Sequence, residues 1–381
     1  MTFDKIRRGA LAAAAVLALG TSASLPAHAD TFNASIWFPE SHPLTKFGYV
    51  EWAETLSGLT NGKLTPKVFA GTALLDPASH LSGVRDGIAQ VAYHAGTFTP
   101  AELPVDNVLA QLAFSYSDYF VAAFAVTDMN MSDPEALAQW KENGIVYGGG
   151  YATVPYVLFC TTPVRSLADM AGKRVRMPGS AHSNWAKSVG AVPVNVASSE
   201  MYSGLEKGQL DCASNGVNEL RTRSLWEVSK NVTMVELGAF YSGYMYGFNR
   251  DFWIGLSSEE RRIILDTIAV AMVKTGLGYQ ALASDVLEEA PKHGVAILQP
   301  DADLAGSVAA FADKARADAI ALGRDQFKMA DAEALIVRFE EKVAKWKALL
   351  AGIDVTDEAQ LTKLLKTEVY DRIDVDSYGL N

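Results

Sequence analysis

Lys173-Arg174-Val175-Arg176-Met177-Pro178-Gly179-Ser180 reads as a short strand that stops at a proline and opens into a glycine turn. Proline has no N–H to give to a strand ladder, so pairing ends there. Arg174 and Arg176 are two residues apart and share one face of the strand. Arg176 is the last charge before the stop. In α/β domains ligands gather outside the carboxyl ends of strands. A planar guanidinium there suits a carboxylate, which it grips with two parallel hydrogen bonds. On its own the octet also fits a surface arginine at a strand end, so its surroundings decide.

Outward from the octet, residues 181–189 read as a helix, 192–196 as a strand, 199–207 as a helix stopped by Gly208, and 209–214 as a strand. The same alternation appears earlier. Residues 33–38 are an extended apolar run. Leu44, Phe47, Val50, Ala53, Leu56 and Leu59 then form one helical stripe between Pro43 and the Asn61-Gly62 stop. Residues 63–70 and 90–94 read as further strands, with a helix over 77–86 between them. Strand–helix alternation of this kind implies sheets with helices on their faces. Two runs, 144–160 and 232–249, are too long for one strand and read as crossovers between two lobes. Gly148-Gly149-Gly150 and Gly243 within them are possible hinges. Ser257 to Glu260 is a capping box that opens a helix of some thirty residues, followed by a helix-forming tail.

The expected fold is therefore α/β and two-lobed, of the periplasmic-binding-protein kind. Mixed sheets are flanked by helices, long crossover strands join the lobes, and extra helices follow at the C-terminus. The expected division is a leader over 1–29, a first lobe over 30–153 plus 242–281, and a second lobe with C-terminal helices over 154–241 plus 282–381.

The leader has a basic start (Lys5, Arg7, Arg8), an apolar stretch over 10–19 and an Ala27-His28-Ala29 cleavage site. It implies export to the periplasm, by the general or the twin-arginine route. Removing its net +2 turns the formal charge from −11 to −13. That charge disfavours nucleic acid and anionic membrane surfaces as partners. Cys160 and Cys212 fit a disulfide in an oxidising compartment, or two separate buried thiols. No sequence motif for nucleophilic catalysis, zinc hydrolysis or phosphate binding is present, and no cofactor is expected. Candidate cleft residues cluster at predicted strand ends: Trp37 and Phe38, His94, Tyr156 in the first crossover and Tyr241 in the second.

The motifs taken together resemble the substrate-binding proteins of tripartite ATP-independent periplasmic (TRAP) transporters, dicarboxylate-type branch. They are Ser41-His42-Pro43, Leu59-Thr60-Asn61-Gly62-Lys63, Arg85-Asp86-Gly87, the run Ser166 to Arg176, Ser199-Glu200-Met201-Tyr202, and Asn249-Arg250-Asp251-Phe252-Trp253. The resemblance implies a cleft that closes on a small organic anion, with Arg176 on the ligand carboxylate and Asn215 hydrogen-bonding the same ligand. It also implies delivery to a small and a large membrane subunit and no chemistry of the protein's own. Tyr156 stands where sialic-acid binders of the family carry an arginine, which argues against that ligand. Carboxylate and sulfonate, chain length and aromaticity stay open. The alternatives are an exported enzyme acting on a small acid, with His94 or Glu40 as general base, and the ligand-binding component of a sensor.

Overall fold

The computed structural model of the protein describes residues 30–380; the leader expected over 1–29 lies outside them. Eleven strands among the described residues form two mixed sheets. They are β1 (Asp30–Ser35), β2 (Leu64–Phe69), β3 (Val91–His94), β4 (Ile145–Gly149), β5 (Tyr156–Cys160), β6 (Arg174–Arg176), β7 (Val192–Val194), β8 (Cys212–Gly216), β9 (Asn231–Thr233), β10 (Tyr244–Asn249) and β11 (Ala296–Leu298). The first sheet runs β2-β1-β3-β10-β4 and the second β11-β9-β5-β8-β6-β7.

In the first sheet β1 pairs in parallel with β2 and β3, while β10 is antiparallel to both β3 and β4. In the second, β6 is parallel to β7 and β8, and β5 is antiparallel to β8 and β9. Each overlong run of sequence splits in two. Residues 144–160 supply β4 to one sheet and β5 to the other, and β9 and β10 divide in the same way. The two connecting segments pair with each other: the Tyr156 and Thr153 N–H groups donate to the Gly238 and Phe240 carbonyls, both at 3.0 Å.

The Gly148–Gly150 run has a physical reason other than a hinge. A Cβ at Gly148 would meet the Phe248 ring at 2.6 Å, at Gly149 the Tyr370 hydroxyl at 2.8 Å, and at Gly150 the Tyr147 hydroxyl at 2.6 Å. These glycines make room for packed side chains.

The helix Ser258–Glu289 begins with the expected capping box. The Glu260 N–H donates to Ser257 Oγ at 3.3 Å, and the Ser257 N–H donates to Glu260 Oε2 at 2.7 Å. At 32 residues it is about 48 Å long. Its middle (Ile264, Ile268, Met272, Tyr279) packs in the first core and its end (Val286) in the second, so it braces both lobes.

The tail departs from the expected grouping. Residues 332–380, expected with the second lobe, pack on the first. Helix Ala332–Leu350 lies on helix Tyr119–Ser132, where Lys342, Lys345 and the Trp346 indole all donate to the Asp128 carboxylate. Further on, Tyr370 donates to the Gly148 carbonyl and Trp253 to the Tyr378 carbonyl. The tail's apolar stripe (Leu335, Ile336, Phe339, Val343, Trp346) has to be buried somewhere, and sequence order does not say against which lobe.

Candidate functional site

The strand directions bring several carboxyl ends to one place. β1 and β3 are parallel, so the residues after Ser35 and after His94 leave the first sheet at the same edge. β6 and β8 are parallel, and antiparallel β5 starts where β8 ends, so Arg176, Asn215 and Tyr156 share one edge of the second sheet. The two edges face each other across a narrow cavity of about 320 Å³, including the space open to solvent. Trp37, Phe38, Tyr93, Ala95, Thr97 and Phe98 line it from the first lobe, Arg176, Pro178, Ser198 and Asn215 from the second, and Tyr156 and Phe240 from the crossovers.

The lobes are in contact around this cavity. Gly179 has φ +65°, and a Cβ there would sit 2.6 Å from Thr97 Cγ2 of the opposite lobe, so both its conformation and the close approach require glycine. Ser180 Oγ accepts a hydrogen bond from Gln111 Nε2 across the same seam.

Arg176 is only 4% exposed. Its Nε donates to the Val196 carbonyl at 3.0 Å and its Nη1 to the Ser214 carbonyl at 2.8 Å. Those two carbonyls fix the plane of the guanidinium, and its remaining N–H groups are left for other partners. Among the described residues no carboxylate forms an ion pair with it. Burial lowers its pKa, an effect opposed by Tyr156 and Glu219 beside it. Arg174, two residues away, has the opposite setting. It is half-exposed and forks onto Asp211, Nε to Oδ2 at 3.0 Å and Nη2 to Oδ1 at 2.9 Å.

Of the other expected site residues, Trp37, Phe38, Tyr156 and Asn215 line the cavity. The Trp37 ring packs edge-on against Tyr93 and Phe98, and its buried Nε1–H has no acceptor among the described residues. Tyr156 and Phe240 stack nearly parallel, at 5.8 Å. Asn215 Oδ1 accepts from the Gly216 N–H at 2.8 Å, which orients the amide.

His94 and Tyr241 sit elsewhere. Neither lines the cavity. His94 is fully buried, bonds Thr99 Oγ1 through Nε2 at 2.8 Å and packs near Tyr244; burial, with a smaller contribution from His80, lowers its pKa to about 3. Tyr241 donates to the Leu109 carbonyl at 3.2 Å and packs near Phe339. In both cases the adjacent residue, Tyr93 or Phe240, faces the cavity. A one-residue error of phase moves a side chain to the other face of extended backbone. Tyr93, Ala95, Thr97, Phe98, Pro178, Ser198 and Phe240 were not expected at the site. Tyr93 and Phe240 were reachable, being aromatics beside residues already singled out. Glu40, the other candidate base, is exposed and off the cavity wall.

The two cysteines form a disulfide. Cys160 and Cys212 face each other where β5 ends and β8 begins, at the edge of the sheet away from Tyr156 and Gly216. No group of His, Cys, Asp or Glu among the described residues is arranged to hold a metal ion. No described helix is long and apolar enough to cross a membrane.

Comparison with known proteins agrees with this layout. Residues 34–314 match the family model for bacterial extracellular solute-binding proteins, family 7. The ectoine-binding periplasmic protein TeaA of Halomonas elongata is 24% identical over 253 residues, covering 64% of this chain and 68% of that protein. The C4-dicarboxylate-binding periplasmic protein DctP of Rhodobacter capsulatus is 26% identical over 258 residues, covering 66% and 75%. Among solved structures, a marine metagenome TRAP solute-binding protein specific for aromatic acid ligands superposes with a TM-score of 0.74 at 19% identity, covering 83% of this chain and 99% of its own. A Rhodoferax ferrireducens protein in complex with copurified benzoate gives 0.75 at 17% identity, covering 84% and 98%. The chain belongs to the family-7 extracellular solute-binding proteins, the substrate-binding receptors of TRAP transporters.

Proposed function

We propose that this protein captures a small organic acid between its lobes, in the periplasm, and delivers it to the two membrane subunits of a TRAP transporter. The observation that carries the reading is Arg176: a buried guanidinium, set at a strand's carboxyl end by two backbone carbonyls, without a carboxylate partner among the described residues. Burying an uncompensated charge is costly, and a bound carboxylate offsets the cost. Asn215 and Ser198 add polar contacts on the same side. Trp37, Phe38, Tyr93, Phe98, Tyr156 and Phe240 enclose the remainder of the ligand in aromatic rings.

That wall favours a flat, apolar body on the acid. Aromatic surfaces stack well on rings, and six rings around one cavity leave few partners for a heavily hydroxylated chain. The solved structures of similar fold include proteins bound to meta-hydroxyphenylacetate, mandelate and benzoate, and one bound to D-glucuronate. The aromatic lining of this chain sides with the first three.

A thermal-shift screen tests the reading. Ligands that bind the native state raise the melting temperature by mass action. Small aromatic and aliphatic monocarboxylates are expected to raise it, and their neutral amides to leave it unchanged. Amides that match their acids would remove the anion from the account.

A further inference from the structure

Behind the cavity wall lies a second group of buried charges, built from both lobes. Glu219 and Arg223 follow β8 in the second lobe; Glu219 is buried and Arg223 nearly so. Glu219 Oε2 accepts from Thr222 Oγ1 at 2.6 Å and lies 3.4 Å from Arg223 Nε. Its Oε1 lies 3.5 Å from Nε2 of His42, a first-lobe residue. Arg223 reaches the cavity through the residues that line it. Its Nη2 donates to Ser198 Oγ at 3.0 Å, and its Cζ stands over the Phe38 ring, 5.3 Å from the centroid. Its Nε is buried without a hydrogen bond among the described residues.

The charges in this group can be counted. His42 Nδ1 accepts the Leu44 N–H at 3.2 Å, so that nitrogen carries no proton and the ring is neutral, with its hydrogen on Nε2. That hydrogen faces Glu219 Oε1 and the Tyr279 hydroxyl, 3.3 Å away. Glu219 is ionised: burial pushes its pKa up, but Arg223, His42 and Thr222 bring it down to about 2. His182, near Tyr156 and Phe240, is neutral, since burial takes its pKa to about 3. Asp106, a buried carboxylate at the Gly96 loop, takes its own donors from Ser242 Oγ and the Gly243 N–H. Apart from Asp106, which lies at the Gly96 loop and pairs with neither guanidinium, one carboxylate, Glu219, stands against two guanidinium groups, Arg176 and Arg223, and this group carries a single positive charge.

We infer that Glu219 sets the charge of the ligand: by neutralising Arg223 it leaves the closed cavity matched to a monoanion, an acid with one carboxylate and an uncharged body, and closed to dicarboxylates. The inference rests on the reading that the cavity takes a carboxylate at Arg176. A monoanion brings the buried group to neutrality, whereas a dianion leaves a net negative charge out of water, where like charges interact most strongly. Glu219 acts through Arg223 and is a positioning residue for charge, not a ligand contact.

Isosteric pairs that differ by one charge test this. The probes are succinamate against succinate, and 4-carbamoylbenzoate against terephthalate, titrated by calorimetry at neutral pH. In the wild type the monoanion of at least one pair is expected to bind roughly tenfold or more tightly than its dianion. Glu219→Gln frees the charge of Arg223, and the preference is expected to fall by about tenfold or to reverse. The double variant Glu219→Gln, Arg223→Gln again holds one spare cation, and the preference for the monoanion should return. A merely structural role for Glu219 predicts no such return. Should Glu219→Gln fail to fold, Arg223→Gln alone decides: it leaves no net charge, and monoanion affinity is expected to drop about tenfold or more. A wild type that binds the dianion as well as the monoanion overturns the charge rule and leaves acid binding standing. If no member of either pair binds, acid binding fails and the charge rule with it. A folded Glu219→Gln variant with an unchanged ratio also overturns the rule.

Discussion

The two walls of the cavity differ in kind. The first lobe contributes Trp37, Phe38, Tyr93, Ala95 and Phe98, with the Thr97 hydroxyl and the Tyr93 phenol as its side-chain hydroxyls. The second contributes Arg176, Asn215 and Ser198, all oriented by bonds within their own lobe. On the proposed reading, charge recognition belongs to one lobe and apolar cover to the other. On that reading, a carboxylate at Arg176 that stays in contact with water is held only weakly. Closing the aromatic wall over it excludes water and strengthens the same contact. Affinity on this account is a product of the two walls, and each can be altered without rebuilding the other.

The largest expected effect lies on the charged wall. Arg176→Ala should leave the fold intact and cost roughly 2–5 kcal/mol of binding, because the acid is then buried unpaired. Arg176→Lys keeps the charge but loses the fork, so it should recover only part of the loss. Arg174→Ala is the control on the same strand: its partner Asp211 is half-exposed, and binding should not change. Calorimetric titration with one acid ranks the three. Next comes stability without binding. Replacing Cys160 and Cys212 with serine should lower unfolding free energy by ~2–4 kcal/mol, measured by denaturant titration. Affinity should hold, because the bridge lies at the sheet edge away from Tyr156 and the cavity. The smaller effects separate the apolar wall from the core behind it. Phe98→Ala removes part of the cover and should weaken binding by roughly 1–2 kcal/mol. Tyr241→Phe should leave affinity untouched and cost about 1 kcal/mol of stability, the worth of its bond to the Leu109 carbonyl. A loss of affinity in Tyr241→Phe larger than in Phe98→Ala would mean the wall has been misdrawn.

Much of this was legible in the sequence because it is local. A proline stop after a charged strand marks Arg176 as a strand-end cation, and alternating strands and helices on either side of two overlong runs give two lobes. What was missed has two physical causes. His94 and Tyr241 were named where Tyr93 and Phe240 face the cavity, because extended backbone fixes the alternation of faces but not which face is inward. The His42–Glu219–Arg223 group has no sequence signature at all. Residues 177 positions apart meet only when the lobes come together, and nothing in either local pattern marks them as partners. The tail failed for the same reason: an amphipathic stripe announces burial, not an address.

The division of labour between the walls rests on Arg176 reading charge. The most direct measurement takes the tightest-binding acid of the thermal-shift screen and its primary amide, two ligands of nearly equal shape, and titrates both into the wild type and into Arg176→Ala. The account predicts that the wild type prefers the acid by roughly 100-fold or more, and that Arg176→Ala binds acid and amide with similar, weak affinity. A preference that survives intact in Arg176→Ala would contradict it.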